Sequence, residues 1–302
     1  MTRLYDAHNH LMDERFSGVE HDLVSAAVGV GVVRMVVNGS CVADWEEVRH
    51  LALRHPGVQA SYGLHPWYLP TRPADWATEL ERRLAEDPTA GVGETGLDRW
   101  ILDLQPELRA RWHPDLASFE PAGLDEQREV FRCHLGIAAR WNRPLSVHCL
   151  QAWGPLLEDL RRGPLPERGF LLHSYGGPME LVGPIVELGG YFGFPGYFLH
   201  ARKERHRDTF RHIPEERLLV ETDAPDQPLP PERRTHVHHG ADGREWNVPA
   251  NLAAVAAGLA EVRGTTTETL APILETNFLR LFGDIAQPDT GTPVPAGVTG
   301  PS

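Results

Sequence analysis

The sequence predicts a single TIM-type (β/α)8 barrel, and three observations predict it. Short apolar runs beginning near residues 4, 32, 58, 91, 145, 170, 191 and 218 supply eight strand candidates. Helical stretches separate most of them, a rhythm that implies parallel strands joined by helical crossovers. Residues with metal-binding chemistry fall at the C-terminal ends of these runs, the face on which such barrels build their sites. A chain of 302 residues is long enough for one barrel of this kind.

The first run, Leu4 to His10, reads LYDAHNH and delivers His8 and His10 one residue apart. Residues i and i+2 of a strand point to one side, so both imidazoles can converge on one ion. A polar turn after a strand is the other reading of an isolated HxH. Val19 to Val28 has helical spacing, and VVRMVV, Val32 to Val37, reads as a buried strand ending at Asn38, Gly39 and Ser40. A helix over Asp44 to His55 is closed by Pro56 and Gly57. Val58 to Gly63 leads into GLHPWY, which places His65 just past a strand end. Trp76 to Asp87 is helical, and Gly91 to Gly93 enters GETGLD, which carries Glu94.

Arg99 to Gly123 breaks the rhythm with prolines and scattered tryptophans and reads as an insertion loop near the Glu94 end. Leu124 to Arg140 predicts a long helix, stopped by Asn142 to Pro144. Leu145 to Val147 reaches His148, and Pro155 to Arg162 is a short helix. Phe170 to Leu172 reaches His173, Pro178 to Leu188 is helical, and Tyr191 to Phe194 is another strand. Leu218 to Val220 leads into ETDAP and Asp223. Two closing helices follow, one from Asn247 to Val262 and one from Glu268 to Phe282. The barrel domain is therefore expected over 1–284. The proline- and glycine-rich end, 285–302, is expected to be a disordered tail.

Hydrophobic residues at 41% and charged residues at 24% are ordinary globular values. No uncharged apolar run approaches the roughly 20 residues needed to span a bilayer, and the polar N-terminus does not read as a signal peptide. A cytoplasmic location without membrane partners is the expectation. Cys41, Cys133 and Cys149 lie far apart, which argues against a disulfide framework and a zinc knuckle. A formal charge of −13 excludes a general attraction to nucleic acid, so a polyanionic substrate would need a locally basic or metal-rich cleft.

His8, His10, Glu94, His148, His173 and Asp223 share a position at or just past strand ends. Four imidazoles and two carboxylates can hold two divalent ions, one carboxylate bridging, and such ions share a hydroxide made acidic at neutral pH. Each residue alone has a plainer reading: a core histidine for His148, a turn residue for His173, an N-cap for Asp223, a surface turn carboxylate for Glu94. Their recurrence at successive strand ends favours the joint reading.

In order, DAHNHL, GLHPW, GETGLD, the helix with Gln127 and Phe131, PLSVHC, HSYGGP and ETDAP resemble the TatD family of metal-dependent hydrolases. Asn247, Pro249, Asn251 and TNFLRLFG, Thr276 to Gly283, resemble its closing helices, so the likeness covers Leu4 to Phe282. The resemblance implies an amidohydrolase-like barrel with insertions at its C-terminal face. It implies that His8, His10 and Asp223 hold one ion, that Glu94 bridges, and that His148 and His173 hold a second. Asp223 would also be the general base, and His65 would lie near substrate. Related amidohydrolases often bridge their metals with a carbamylated lysine. The only lysine here, Lys203, lies between other elements, which leaves Glu94 as the bridging candidate.

The implied activity is that of a TatD-like deoxyribonuclease of the 3'-5' exonuclease type, acting on DNA, single-stranded by expectation. Mg2+ or Mn2+ would support it. The four histidines also suit Zn2+. Family members often carry an arginine two residues after the histidine matching His148; here the position is Leu150, which weakens a phosphate grip. HSYGGP also departs from the family's more usual run. A metal-dependent amide or ester hydrolase of a small molecule or aminoacyl conjugate is the second reading. A non-catalytic, metal-stabilised scaffold is a third, against which the intact Asp223 argues.

The longer segments, Arg99 to Gly123 and Gln227 to Trp246, are expected to shape the cleft. His236, His238 and His239 in the second read as part of a flexible polar loop, with a zinc loop as the alternative. Arg233 and Arg234 there, and the basic run Ala201 to His212, fit either phosphate contacts or solvated faces.

Overall fold

The computed structural model describes residues 2–110, 114–240 and 243–284. Eight parallel strands run in chain order around one sheet: β1 (Leu4–Asn9), β2 (Val32–Asn38), β3 (Val58–Tyr62) and β4 (Gly91–Asp98), then β5 (Leu145–Leu150), β6 (Phe170–Leu172), β7 (Gly190–Pro195) and β8 (Leu218–Glu221). Each matches a predicted run. Their residues are buried almost throughout, polar ones included, because the strands are covered on both faces.

The helices are α1 (Glu20–Gly29), α2 (Trp45–Arg54), α3 (Trp76–Glu86), α4 (Pro106–Arg109) and α5 (Leu124–Trp141), followed by α6 (Trp153–Arg162), α7 (Val182–Glu187), α8 (Glu204–His212), α9 (Leu252–Arg263) and α10 (Thr267–Phe282). Asn142 caps α5 in the left-handed conformation, φ 47°, which asparagine tolerates better than most residues. The helix expected over Pro178 to Leu188 divides into a 3-10 turn, Met179–Leu181, and the shorter α7.

Strand positions one residue apart join different cores. Phe170, Leu172 and Phe192 belong to the large cluster that includes the helices, whereas Leu171, Tyr191 and Leu219 pack with Phe278, Leu281 and Phe282 of α10. Arg34 and Gln59, near the start of β2 and β3, reach the carbonyls of Gly283 and Phe282. The C-terminus of α10 therefore closes the end of the barrel opposite the mouth.

Between β8 and β1 a side chain does the joining. The buried Asp6 carboxylate accepts hydrogen bonds from the Thr222 amide at 2.9 Å, the Thr222 hydroxyl at 2.5 Å, the His8 amide at 3.3 Å and Asn9 Nδ2 at 3.2 Å. Past it, the Asp223 amide donates to the His8 carbonyl at 2.9 Å and the His10 amide to the Ala224 carbonyl at 2.7 Å. The two metal-motif segments are thus stitched together at the seam.

The insertions are more ordered than the sequence implied. The first carries 3-10 turns at Trp100–Asp103 and Pro114–Ala117 and the one-turn α4. The second is corrected outright: in place of a flexible loop it holds an antiparallel pair, β9 (His238–His239) with β10 (Glu245–Trp246). Arg15 and Arg244 lie over the Trp246 ring at 4.7 and 4.9 Å, and Asn251 binds the backbone of Thr235 and His236. These tertiary contacts, invisible to local propensity, hold the segment down. All three cysteines are free, and no described helix is long and apolar enough to cross a membrane. The expected tail from 285 onward lies outside the described residues.

Candidate metal centre

The structure brings His8, His10, His65, Glu94, His148, His173 and Asp223 together at the C-terminal mouth, Glu94 in the middle. Glu94 Oε2 faces His10 Nε2 at 3.2 Å and His8 Nε2 at 3.5 Å. Its Oε1 faces His173 Nε2 at 2.8 Å, His148 Nδ1 at 3.0 Å and His65 Nε2 at 3.6 Å. Asp223 Oδ1 lies 3.6 Å from both His8 Nε2 and His10 Nε2. Among the described residues, three groups have donor geometry for a cation: His8 with His10 and Glu94, His8 with His173 and Asp223, and His65 with Glu94 and His148. None includes His236, His238 or His239.

Backbone shape makes room for this crowding. Gly96, at φ +152°, pairs with His148 across β4 and β5, where a Cβ would lie 1.9 Å from the His148 carbonyl oxygen. Gly193 faces the Glu221 carboxylate, and a Cβ there would meet Oε2 at 2.0 Å.

For three of the rings a hydrogen bond on the far side shows which nitrogen faces the site. His10 Nδ1 donates to the Asn38 carbonyl at 2.8 Å, which leaves Nε2 as the lone pair facing the site. His8 Nδ1 meets the Ser146 hydroxyl at 2.9 Å, and His148 Nε2 meets Asp98 Oδ2 at 3.2 Å, which leaves His8 Nε2 and His148 Nδ1 facing inward. His173 Nδ1 faces Glu221 Oε1 at 3.7 Å, an ionic contact too long for a hydrogen bond.

The inward nitrogens come in pairs, His8 with His10 at 3.2 Å and His148 with His173 at 3.1 Å. With metal–nitrogen bonds of about 2.1 Å, two ligand nitrogens on one ion lie roughly 3.0–3.4 Å apart. Lone pairs at that spacing repel unless a cation or proton sits between them, so the donor set fits divalent ions.

His65 differs. Its Nδ1 accepts the Trp67 backbone N–H at 3.2 Å, and burial holds it neutral, its pKa pushed down to about 3. The proton therefore sits on Nε2, which makes His65 a donor toward Glu94 or substrate and a poor metal ligand.

Three carboxylates escaped the sequence reading. Asp98 holds His148 and in turn accepts Trp67 Nε1–H at 2.6 Å. Burial would raise its pKa, but His148 and Trp67 keep it below the usual range. Glu221 lies behind His173, and Asp6 closes the seam behind His8. A signal existed: each stands an even number of residues from a site residue in its own motif, Asp6 before His8, Asp98 after Glu94 and Glu221 before Asp223. Even spacing along a strand keeps side chains on one face.

Protons and cations compete for these groups. Burial pushes Asp223 up to about 7 against the pull of His173 and His10. Burial disfavours the His10 cation, but Glu94 and Asp223 outweigh it and lift the group to about 9. Each must shed its proton to offer a lone pair, so metal affinity falls as pH drops through these values. Mn2+ titrations from pH 6 to 9 should show affinity rising by about tenfold per proton displaced per pH unit. A flat profile would contradict the assignment of these donors.

The ordered motifs have counterparts across almost the whole chain. A family model described as TatD related DNase matches residues 5–283. The chain belongs to the TatD family. It is 30% identical over 283 residues to the uncharacterized metal-dependent hydrolase YcfH of Escherichia coli K12, covering 92% of this chain and 95% of YcfH. It is 28% identical over 291 residues to the 3'-5' ssDNA/RNA exonuclease TatD of Citrobacter koseri, covering 93% and 99%. The crystal structure of the Escherichia coli TatD homologue YjjV superposes with a TM-score of 0.78 at 27% identity, covering 94% of this chain and 99% of YjjV. This TatD protein is a metal-dependent hydrolase built on the barrel predicted from its strand runs.

Proposed function

We propose that this TatD protein hydrolyses phosphodiester bonds in nucleic acid, releasing nucleotides from the 3' end of single-stranded DNA. The observation that carries the reading is Glu94. Its two oxygens face two different sets of nitrogens, as a carboxylate shared by two ions must. His8, His10 and Asp223 would hold one ion and His148 and His173 the other, with Mg2+, Mn2+ or Zn2+ compatible with the donors. Bound there, the pair supplies an acidified water and charge stabilisation for the attacking and leaving oxygens. Asp223, facing the same space, accepts the proton of the attacking water, and His65 Nε2–H donates toward substrate.

One observation favours a second reading, hydrolysis of an amide or ester. Leu150 stands 37% exposed two residues beyond His148, so an apolar side chain lies where a phosphate grip would help. Four arginines of the flanking segments are also matched by carboxylates: Arg15 by Asp13 and Asp226, Arg72 by Glu126, Arg233 by Glu261 and Arg234 by Glu245.

End-labelled single-stranded DNA distinguishes the two. With Mn2+ or Mg2+ the protein is expected to release nucleotides progressively from the 3' end. Chelator stops the release, and Asp223→Ala lacks it. Metal-loaded protein that leaves DNA intact but cleaves p-nitrophenyl esters or aminoacyl amides would replace the nuclease reading with the second one.

A further inference from the structure

The insertion after Asp223 begins with a residue that reaches back into the site. Gln227 Nε2 donates to Asp223 Oδ2 at 2.6 Å and to the Ser174 hydroxyl at 2.6 Å. When ionised, as a metal ligand or base must be, Asp223 Oδ2 offers only lone pairs to this contact, and the amide nitrogen with its two hydrogens faces this side. Ser174 then spends its own hydrogen on Glu221 Oε1 at 2.7 Å, and its backbone N–H reaches the same oxygen at 2.5 Å. The result is a continuous set of hydrogen bonds in which Gln227 donates on one side to Asp223 and on the other to Ser174, and Ser174 donates onward to the carboxylate that faces His173.

Backbone conformation marks the same three residues. Ser174, Asp223 and Gln227 all have positive φ, at 45°, 52° and 47°, although none is glycine. Such conformations persist only where surrounding contacts impose them, and they cluster at working sites. Here the contacts come from outside the barrel proper. Asp226, beside Gln227, pairs with Arg15 at 2.8 Å, and Asn247 Nδ2 holds the Asp226 carbonyl at 3.0 Å. The root of the insertion is thereby pinned, and with it the Gln227 side chain.

We propose that Gln227 is a positioning residue for Asp223, installed by the 227–246 insertion and braced by Ser174. It occupies Oδ2 and so presents Oδ1 to His8 and His10, which lie 3.6 Å away. The role rests on the reading of Asp223 as metal ligand and base, which Asp223→Ala tests separately. Partners that hydrogen-bond a ligating carboxylate typically contribute about 10–100-fold in metal affinity or activity.

The test uses the full chain and Mn2+ alone as probe, followed by turnover at saturating Mn2+. Gln227→Met keeps the side-chain length and removes both donors. It is expected to bind the same number of Mn2+ ions, one of them about tenfold more weakly, and to lower kcat by about tenfold or more with KM little changed. Ser174→Ala, which leaves Gln227 in place but unbraced, should show a smaller loss in the same direction. The double variant should lose no more than Gln227→Met alone. Wild-type Mn2+ affinity and kcat in Gln227→Met, with or without a lower Tm, would overturn the inference, as would strictly additive losses in the double variant. If Asp223→Ala itself binds Mn2+ and turns over normally, the reading of Asp223 fails. If Asp223→Ala is defective while Gln227→Met is normal, only the positioning role fails.

Discussion

Replacing Glu94 with alanine is expected to abolish turnover while leaving the barrel folded. Five imidazoles face this one carboxylate at 2.8–3.6 Å, one of its oxygens toward His8 and His10 and the other toward His148, His173 and His65. Without it the pairs have no shared anion to balance two divalent charges. Bound ions supply several kcal/mol of transition-state stabilisation, so losing one or both corresponds to about a thousandfold or more in rate. The hydrogen bonds that close the seam between β1 and β8 run through Asp6 and the backbone and not through the Glu94 carboxylate, so the melting temperature should change by only a few degrees. Glu94→Gln is the companion variant, since it preserves volume and removes charge. Metal content per chain, turnover and a thermal melt on both variants check the expectation. Normal metal content with full activity in either would sink the site assignment.

The largest effect on stability is expected at Asp6. Its carboxylate is fully buried and accepts four hydrogen bonds from the β8 end and the HxH segment. In Asp6→Ala, the Thr222 amide and hydroxyl, the His8 amide and Asn9 Nδ2 all lose an acceptor where water has poor access. Each orphaned buried donor costs about 1–3 kcal/mol, and partial relaxation brings the expected total to about 3–5 kcal/mol. For a chain of this size that is a fall in melting temperature of roughly 10 °C. Metal affinity should fall as well, because the same contacts hold His8 and Asp223 on adjoining segments. Thermal melts with and without Mn2+ measure both effects, and a variant that melts like the native chain would show that the seam does not depend on Asp6.

Much of the site was legible because strand ends converge in a parallel barrel. Once eight runs are placed in order, residues as distant as His8 and Asp223 must point into one mouth. That Glu94 faces both pairs of nitrogens was legible for the same reason, since β4 carries it into the mouth. Asp98, Glu221 and Asp6 were less legible. An acid two or four residues from a ligand reads as a turn or surface group until its partner is known, and the partner of Asp98 lies on β5 and that of Glu221 past β6. Gln227 was harder still. It sits at the head of a segment with no periodicity, and its contacts depend on a positive φ and on Arg15, more than two hundred residues away.

The sequence by itself determined the barrel, the order of its strands, the family and the convergence of seven polar residues at one face. Those features follow from local apolar patterning and from chain connectivity, which sequence spacing records directly. Tertiary structure alone decided which ring nitrogen of His8, His10 and His148 faces the site, that His65 carries its proton on Nε2, and that Gln227 at the head of the second insertion reaches Asp223. Those outcomes depend on hydrogen-bond partners brought from other strands and loops, and a pairing between distant residues leaves no periodic trace in a single sequence.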